Sequence, residues 1–468
     1  MNTISFVRRS RGFRRLSCLT GRAVGVIGVI CGSRAAAGQP GPMAGWWAGA
    51  FVRAGSVEQV AAEVVPDGDS LALVLSFPDR PLVPPARLPL RTDGAGRFRF
   101  GTPYGAARVA LDSAVQELVG VVGPDSAGVR VHLRRMLPPA THEVVREAVR
   151  VASGRVTLPG TLFRPVGVRR PAVAILVQGR GCGPITGFEA QGEMLARHGV
   201  AALAYDKRGV DSTRRCDTAT IADLAEDVVT IARFLARRGD VDPARIGTVS
   251  RSAGGWVSAL ASSRAPIAFL AMLVGPSTSV ARQQLGSMEV VAHRLRLAPN
   301  DSVDAVRYVE VSVGPSDRAR RYAELTRLLA AGRRAGWAQE FLEPDDVANG
   351  EAAADSLWAR RNAYDPASDL RRFRGPILAI YGGADEVVPA EENVALLRRL
   401  AADAGNSRVR TLVVPEAGHG LDQPEAMRTI DLDTGAPLTY WKARRTPPIV
   451  HETLLDFLRE AGMMGDGR

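Results

Sequence analysis

Lysine is almost missing from this 468-residue chain: Lys207 and Lys442 are the only two, although the formal net charge is +11. The basic side chains are therefore nearly all arginine. They are scattered rather than gathered into a stripe, and no aromatic residues interleave with them, which argues against a nucleic-acid partner. No apolar run approaches the roughly 20 residues of a membrane-spanning helix. No cluster of His, Cys and carboxylates has metal-ligand spacing, so neither metal nor cofactor is expected. Internal repeats and long polar tracts are missing too, and nothing in the sequence speaks to oligomeric state. With 46% hydrophobic and 23% charged residues, the composition is globular. The length suggests two domains or more.

Cysteine is scarce, at four residues, and its distribution depends on the N-terminus. Arg8, Arg9, Arg11, Arg14, Arg15 and Arg22 precede a short apolar stretch, 23–31, and Ala35 and Ala37 then supply small residues. Basic region, apolar region and small-residue site predict a signal peptide over residues 1–37 and a secreted or periplasmic protein, with no membrane span after cleavage. The paired arginines fit a twin-arginine route. Cys18 and Cys31 would leave with the peptide, so the mature chain would keep one even pair, Cys182 and Cys216, in an oxidising compartment.

Residues 44–136 read as a small all-β domain. Short alternating runs at 59–65, 71–77, 96–100, 108–111 and 129–133 are separated by turn residues such as Pro66-Asp67-Gly68, a spacing that suggests a barrel or sandwich. Pro138-Pro139 makes a natural boundary. From residue 143 the pattern becomes α/β. A predicted hairpin at 144–163 is followed by strands at 173–177, 201–205, 246–249, 268–274, 377–381 and 411–414, alternating with helical periodicity. This predicts a parallel sheet covered on both faces. Residues 277–370 break the rhythm with charged, helix-like sequence and are expected to form a helical lid.

Three polar residues follow predicted strands. Ser252 lies in Ser250-Arg251-Ser252-Ala253-Gly254-Gly255, a strand running into a helix, as a nucleophile elbow requires; Gly254 is small, and Ser250 stands where glycine is usual. Asp385 tips the turn Gly382-Gly383-Ala384-Asp385, with Glu386 as the nearest rival carboxylate. His419 lies between Gly418 and Gly420 after the 411–414 strand. Ser, Asp, His is the chain order of the α/β-hydrolase fold, in which all three loops share one sheet edge. The chemistry needs that convergence: the histidine takes the serine proton and the acid fixes the imidazole. An oxyanion hole would combine the Ala253 N–H with the Arg180 N–H, or alternatively that of Gly181, from the loop Gln178-Gly179-Arg180-Gly181.

These residues resemble bacterial α/β-hydrolase esterases of the dienelactone-hydrolase and prolyl-oligopeptidase-like branch. The resemblance covers residues 143–462 and includes Tyr205-Asp206-Lys207-Arg208-Gly209-Val210, similar to the family's Y-D-K-R-G-x-G. Residues 44–136, with Gly45-x-Trp47-x-Gly49, resemble the β domain that precedes some of these enzymes. Three departures stand out: Gln178 where the family has His, Ser250-Arg251 where it has Gly-His, and Asp211 where it has Gly. The resemblance implies a carboxylic-ester hydrolase acting on a small-molecule ester. A peptidase of the same fold and a catalytically silent binding protein are the competing readings. It also implies that the strands before Cys182 and Cys216 are neighbours, so that a disulfide between these two would brace the site rim. Thiol titration of the mature, unreduced, unfolded protein is expected to find no reactive thiol; two free thiols would refute the bridge.

Overall fold

The structure, a computed structural model, describes residues 43–464 apart from residues 54–55, 78–83, 95, 103–104, 113–115, 125–127, 182–185, 209, 211–218, 315–316, 341–346, 361–363 and 423–445. The expected signal peptide, Cys182, Cys216 and Asp211 lie outside the described residues.

The N-terminal part is a closed antiparallel barrel of eight strands in sequential order: β1 (Gly45–Arg53), β2 (Ser56–Asp67), β3 (Ser70–Ser76), β4 (Ala86–Thr92), β5 (Arg97–Thr102), β6 (Gly105–Asp112), β7 (Glu117–Val122) and β8 (Val129–Met136). Alternate residues of each strand point inward, and Trp47, Phe51, Leu73, Leu75, Leu118 and Leu133 fill the interior. Closure between β1 and β8 leaves no free edge in this sheet. Three of these strands, β1, β4 and β7, have no counterpart among the alternating runs read from the sequence. The first is rich in Gly and Ala, the second contains Pro89, and Gly120 interrupts the third.

A second sheet has the order β9-β10-β12-β11-β13-β14-β15-β16. Its members are β9 (Val144–Ser153), β10 (Val156–Pro165), β11 (Val173–Val177), β12 (Ala201–Tyr205), β13 (Ile246–Arg251), β14 (Leu270–Leu273), β15 (Ile377–Gly382) and β16 (Val409–Val414). The β9–β10 hairpin joins antiparallel to β12, and the other pairings are parallel. Because β11 is apolar on both sides, Val173, Ile175 and Val177 pack on one face of the sheet and Ala174 and Leu176 on the other. The first face is covered by α2 (Ile221–Ala236), α3 (Gly254–Ser262) and, further along, α9 (Ala390–Asp403). The second is covered by α1 (Thr186–Arg197) and α10 (Pro448–Glu460). Helix α2 begins at a capping box in which Thr220 and Asp223 satisfy each other's backbone N–H.

Between β14 and β15 the chain forms the helical insertion α4 (Val280–Arg294), α5 (Pro299–Val313), α6 (Arg318–Ala335), α7 (Glu351–Arg360) and α8 (Ala367–Arg372). Most of it has its own core, with Tyr308 and Trp337 in ring contact among Leu325, Leu328 and Leu329. The architecture is thus an α/β-hydrolase fold with a helical insertion, preceded by a β-barrel. Barrel and hydrolase part meet where Arg135 of β8 donates to Glu452 of α10 at 2.8 Å.

On the outer face of the barrel, buried Glu117 accepts from His132 at 2.9 Å and from Arg134 at 3.0 Å. Burial pulls the Glu117 carboxyl upward, but hydrogen bonds and charge from His132 and Arg134 outweigh it, and its pKa lies below the ordinary glutamate value. A carboxylate with a depressed folded pKa contributes stability above its unfolded pKa and loses it as pH falls through the depressed one. Glu117→Gln is therefore expected to cost about 1–3 kcal/mol at neutral pH, and thermal unfolding should show the gap closing in acid. A gap independent of pH would refute the charge-based account.

Candidate active site

The parallel strands end at a common edge, and that edge collects the three residues singled out above. Ser252 follows β13 at a φ of 51°, a left-handed conformation that costs an L-residue roughly 1–2 kcal/mol. The turn is held by the Ser252 N–H bonded to the Leu273 carbonyl and by the Ser252 carbonyl accepting from the Gly255 N–H. Gly254 is required there: a Cβ on it would lie 2.5 Å from the Val177 carbonyl oxygen and 2.8 Å from that of Gln178. Ser250, buried in the usual glycine position, fits because its hydroxyl donates to the Ala271 carbonyl on the neighbouring strand at 3.2 Å.

Asp385 follows β15 with its side chain fully buried. Its Oδ1 accepts from the Val387 and Val388 N–H groups at 2.8 and 2.9 Å. Its Oδ2 lies 2.9 Å from His419 Nδ1. The other imidazole nitrogen, Nε2, stands 2.9 Å from Ser252 Oγ. Serine, imidazole and carboxylate thus form one hydrogen-bonded line from three loops. The rival carboxylate, Glu386, points elsewhere and pairs with Arg294 of α4 at 2.9 Å. Other histidines bond to structural groups: His198 to the Met194 and Pro138 carbonyls, His142 to that of Val166.

The loop after β11 packs directly on the serine. A Cβ on Gly179 would lie 2.9 Å from Ser252 Cβ. Gln178, the residue in the family's histidine position, is buried and donates to the Tyr205 carbonyl at 2.9 Å. The Ala253 N–H opens α3, where a helix has no internal acceptor to offer. A cleft of about 390 Å³ opens over these groups. Its walls include Arg180, Trp256, Met288, Val291, Val388 and Glu340, so the insertion supplies one side.

Sequence reasoning missed two contacts. Arg251 donates to the Gly420 carbonyl at 2.6 Å, tying the residue before Ser252 to the residue after His419. Burial pulls the Arg251 guanidinium down from the ordinary arginine value, and the charge of Asp422 opposes this. Lys207 donates to the carbonyls of Gly179 at 2.6 Å and Gly181 at 3.1 Å. Its rarity was the available signal.

Fold, sheet order and this Ser–His–Asp line define an α/β-hydrolase. Residues 170–422, more than half of the chain, match the family described as serine aminopeptidase, S33, and the chain belongs to that family. No curated protein matches it. Among solved structures, it is similar to an esterase of the Planctomycetes species Thermogutta terrifontis, at 19% identity and a TM-score of 0.40, covering 69% of this chain and 94% of that one. A putative dienelactone hydrolase from Klebsiella pneumoniae subsp. pneumoniae is similar at 13% identity and a TM-score of 0.39, covering 68% and 99%. An esterase of Pyrobaculum calidifontis is similar at 16% identity and a TM-score of 0.40, covering 69% and 88%.

Gly254→Ala is expected to force the elbow away from the Val177 and Gln178 carbonyls at a cost of about 1–3 kcal/mol. Chemical denaturation would measure it; an unchanged midpoint would contradict the tight elbow.

Proposed function

We propose that the protein is a serine hydrolase of carboxylic esters, working through Ser252, His419 and Asp385. The observation that supports it is the line from Ser252 Oγ through both imidazole nitrogens to a buried carboxylate, each link 2.9 Å. Ser252 Oγ attacks the ester carbonyl while His419 Nε2 takes its proton. Asp385 fixes the tautomer that leaves Nε2 free to accept and stabilises the imidazolium that forms. The negative tetrahedral intermediate is received by the Ala253 and Arg180 N–H groups. Collapse breaks the bond to the alcohol, which leaves with the proton from His419. Water then attacks the acyl-serine, giving a proton to His419; as the second tetrahedral intermediate collapses, the acyl–Oγ bond breaks, the acid leaves and Ser252 Oγ takes the proton back from His419.

The family's description favours a second reading, an aminopeptidase. Such an enzyme needs an anion for the substrate's α-ammonium group. The only carboxylate among the described residues lining the cleft is Glu340, and it is engaged by Arg294 at 2.5 Å. The cleft therefore fits an uncharged acyl group better than a cationic one.

Purified protein is expected to hydrolyse p-nitrophenyl acetate and butyrate and to be labelled by a fluorophosphonate. Ser252→Ala should lose labelling and at least about 10⁴-fold in kcat. Preference for aminoacyl anilides would support the peptidase. Neither turnover nor labelling would support a silent binding protein.

A further inference from the structure

The oxyanion loop is gripped from behind by a buried cation. Lys207 follows β12, the strand beside β11, and is 6% exposed. Its backbone is held by the Asp206 N–H bonded to the Pro159 carbonyl and by the Lys207 carbonyl accepting from the Val210 N–H. From there Nζ reaches the Gly179 and Gly181 carbonyls. Gln178, bonded to the Tyr205 carbonyl, gives the same loop a second brace from the same segment.

Peptide geometry turns this grip into an aim. A trans peptide is planar, so a carbonyl and the N–H of the following residue point in opposite directions. With the Gly179 carbonyl held on Lys207, the Arg180 N–H is directed away from Lys207. The loop's other side is Ser252: the Cβ direction of Gly179 ends 2.9 Å from Ser252 Cβ and 3.5 Å from its Oγ. The loop thus touches the ammonium through its carbonyls and Ser252 through Gly179. The grip on the Gly179 carbonyl sets the Arg180 N–H and leaves that of Gly181, which belongs to the next peptide, without such an aim.

We propose that Lys207 is a positioning residue for ester hydrolysis, holding the Gly179 and Gly181 carbonyls so that the Arg180 N–H faces the oxyanion. This rests on the serine-esterase reading above. The ammonium acts in two ways. It fixes the donor's direction before substrate arrives, so no reorganisation accompanies charge development. It also polarises the peptide it holds, which strengthens the N–H as a donor. Both effects favour the tetrahedral intermediate over the neutral ester, so loss of Lys207 acts on kcat and not on KM.

The test compares wild type, Lys207→Met and Lys207→Arg. It measures kcat and KM on p-nitrophenyl butyrate, the inhibition constant of an alkyl trifluoromethyl ketone, which forms a tetrahedral adduct with an active serine, and thermal unfolding. For Lys207→Met the expected result is a kcat lowered about 10- to 100-fold, with KM within about two-fold and ketone affinity falling in parallel with kcat. Lys207→Arg, which keeps a donor cation, should recover part of both. If Lys207→Met does not fold, Lys207→Gln and the arginine variant carry the same comparison. Unchanged kcat and ketone affinity per folded molecule in any folded variant lacking the cation would overturn the proposal, as would a loss confined to KM. A wild type that neither turns over ester nor binds the ketone would overturn the esterase reading itself, a distinct outcome.

Discussion

The site depends on the close approach of two backbones. The elbow after β13 and the loop after β11 touch with no side chain between them, because Gly254 sits against the Val177 and Gln178 carbonyls and Gly179 sits against Ser252. Parallel pairing of β11 with β13 brings the two loops to the same edge. The strained serine is then held by main-chain bonds to β14 and to the first turn of α3. Once that contact is fixed, β15 and β16, in parallel register beyond β14, place Asp385 and His419 within hydrogen-bond reach. Strain at Ser252 is thus sustained by packing that would be lost if the elbow relaxed.

The insertion is bound to the Asp385 loop and to α9 rather than floating above them. Gln283 of α4 donates to the Val387 carbonyl, Arg282 pairs with Glu392, and Arg294 pairs with Glu386. Val387 is itself one of the two backbone donors that hold Asp385. Cleft wall and Asp385 therefore share Val387, and a displacement of α4 would bear on the carboxylate as well as on the cleft. Trp256 of α3 donates to the Thr278 carbonyl, closing the frame on the Ser252 side.

Much of the hydrolase part was legible in the sequence because buried parallel strands leave unbroken apolar runs: the strands at 173–177 and 201–205 have the limits their sequences suggest. The candidate serine, aspartate and histidine stood out because each follows such a run. What escaped notice depends on contacts between residues distant in sequence. Nothing local marks Arg251 as a partner of Gly420 or Lys207 as a partner of Gly179, since these bonds exist only once separate loops have met. The barrel was legible as β but not strand by strand, because neighbouring backbones pass close to Gly49 where β1 closes on β8 and to Gly120 where β7 pairs with β6, so that a Cβ on either would collide with the carbonyl of His132 or of Arg108. A glycine chosen for closeness reads as a break.

The bond from Arg251 to Gly420 has a consequence for how this protein can vary. Arg251 is the residue before Ser252 and lines the cleft. Here that residue also fastens the histidine's loop, with its charge set against Asp422. Arg251 and Asp422 are coupled by charge, and Gly420 and Asp422 by contact, since a Cβ at 420 would collide with the Asp422 carboxylate. Exchange of the arginine for the shorter histidine would remove a strut along with a wall of the cleft, so a change at 251 acts on the His419 loop as well as on the cleft.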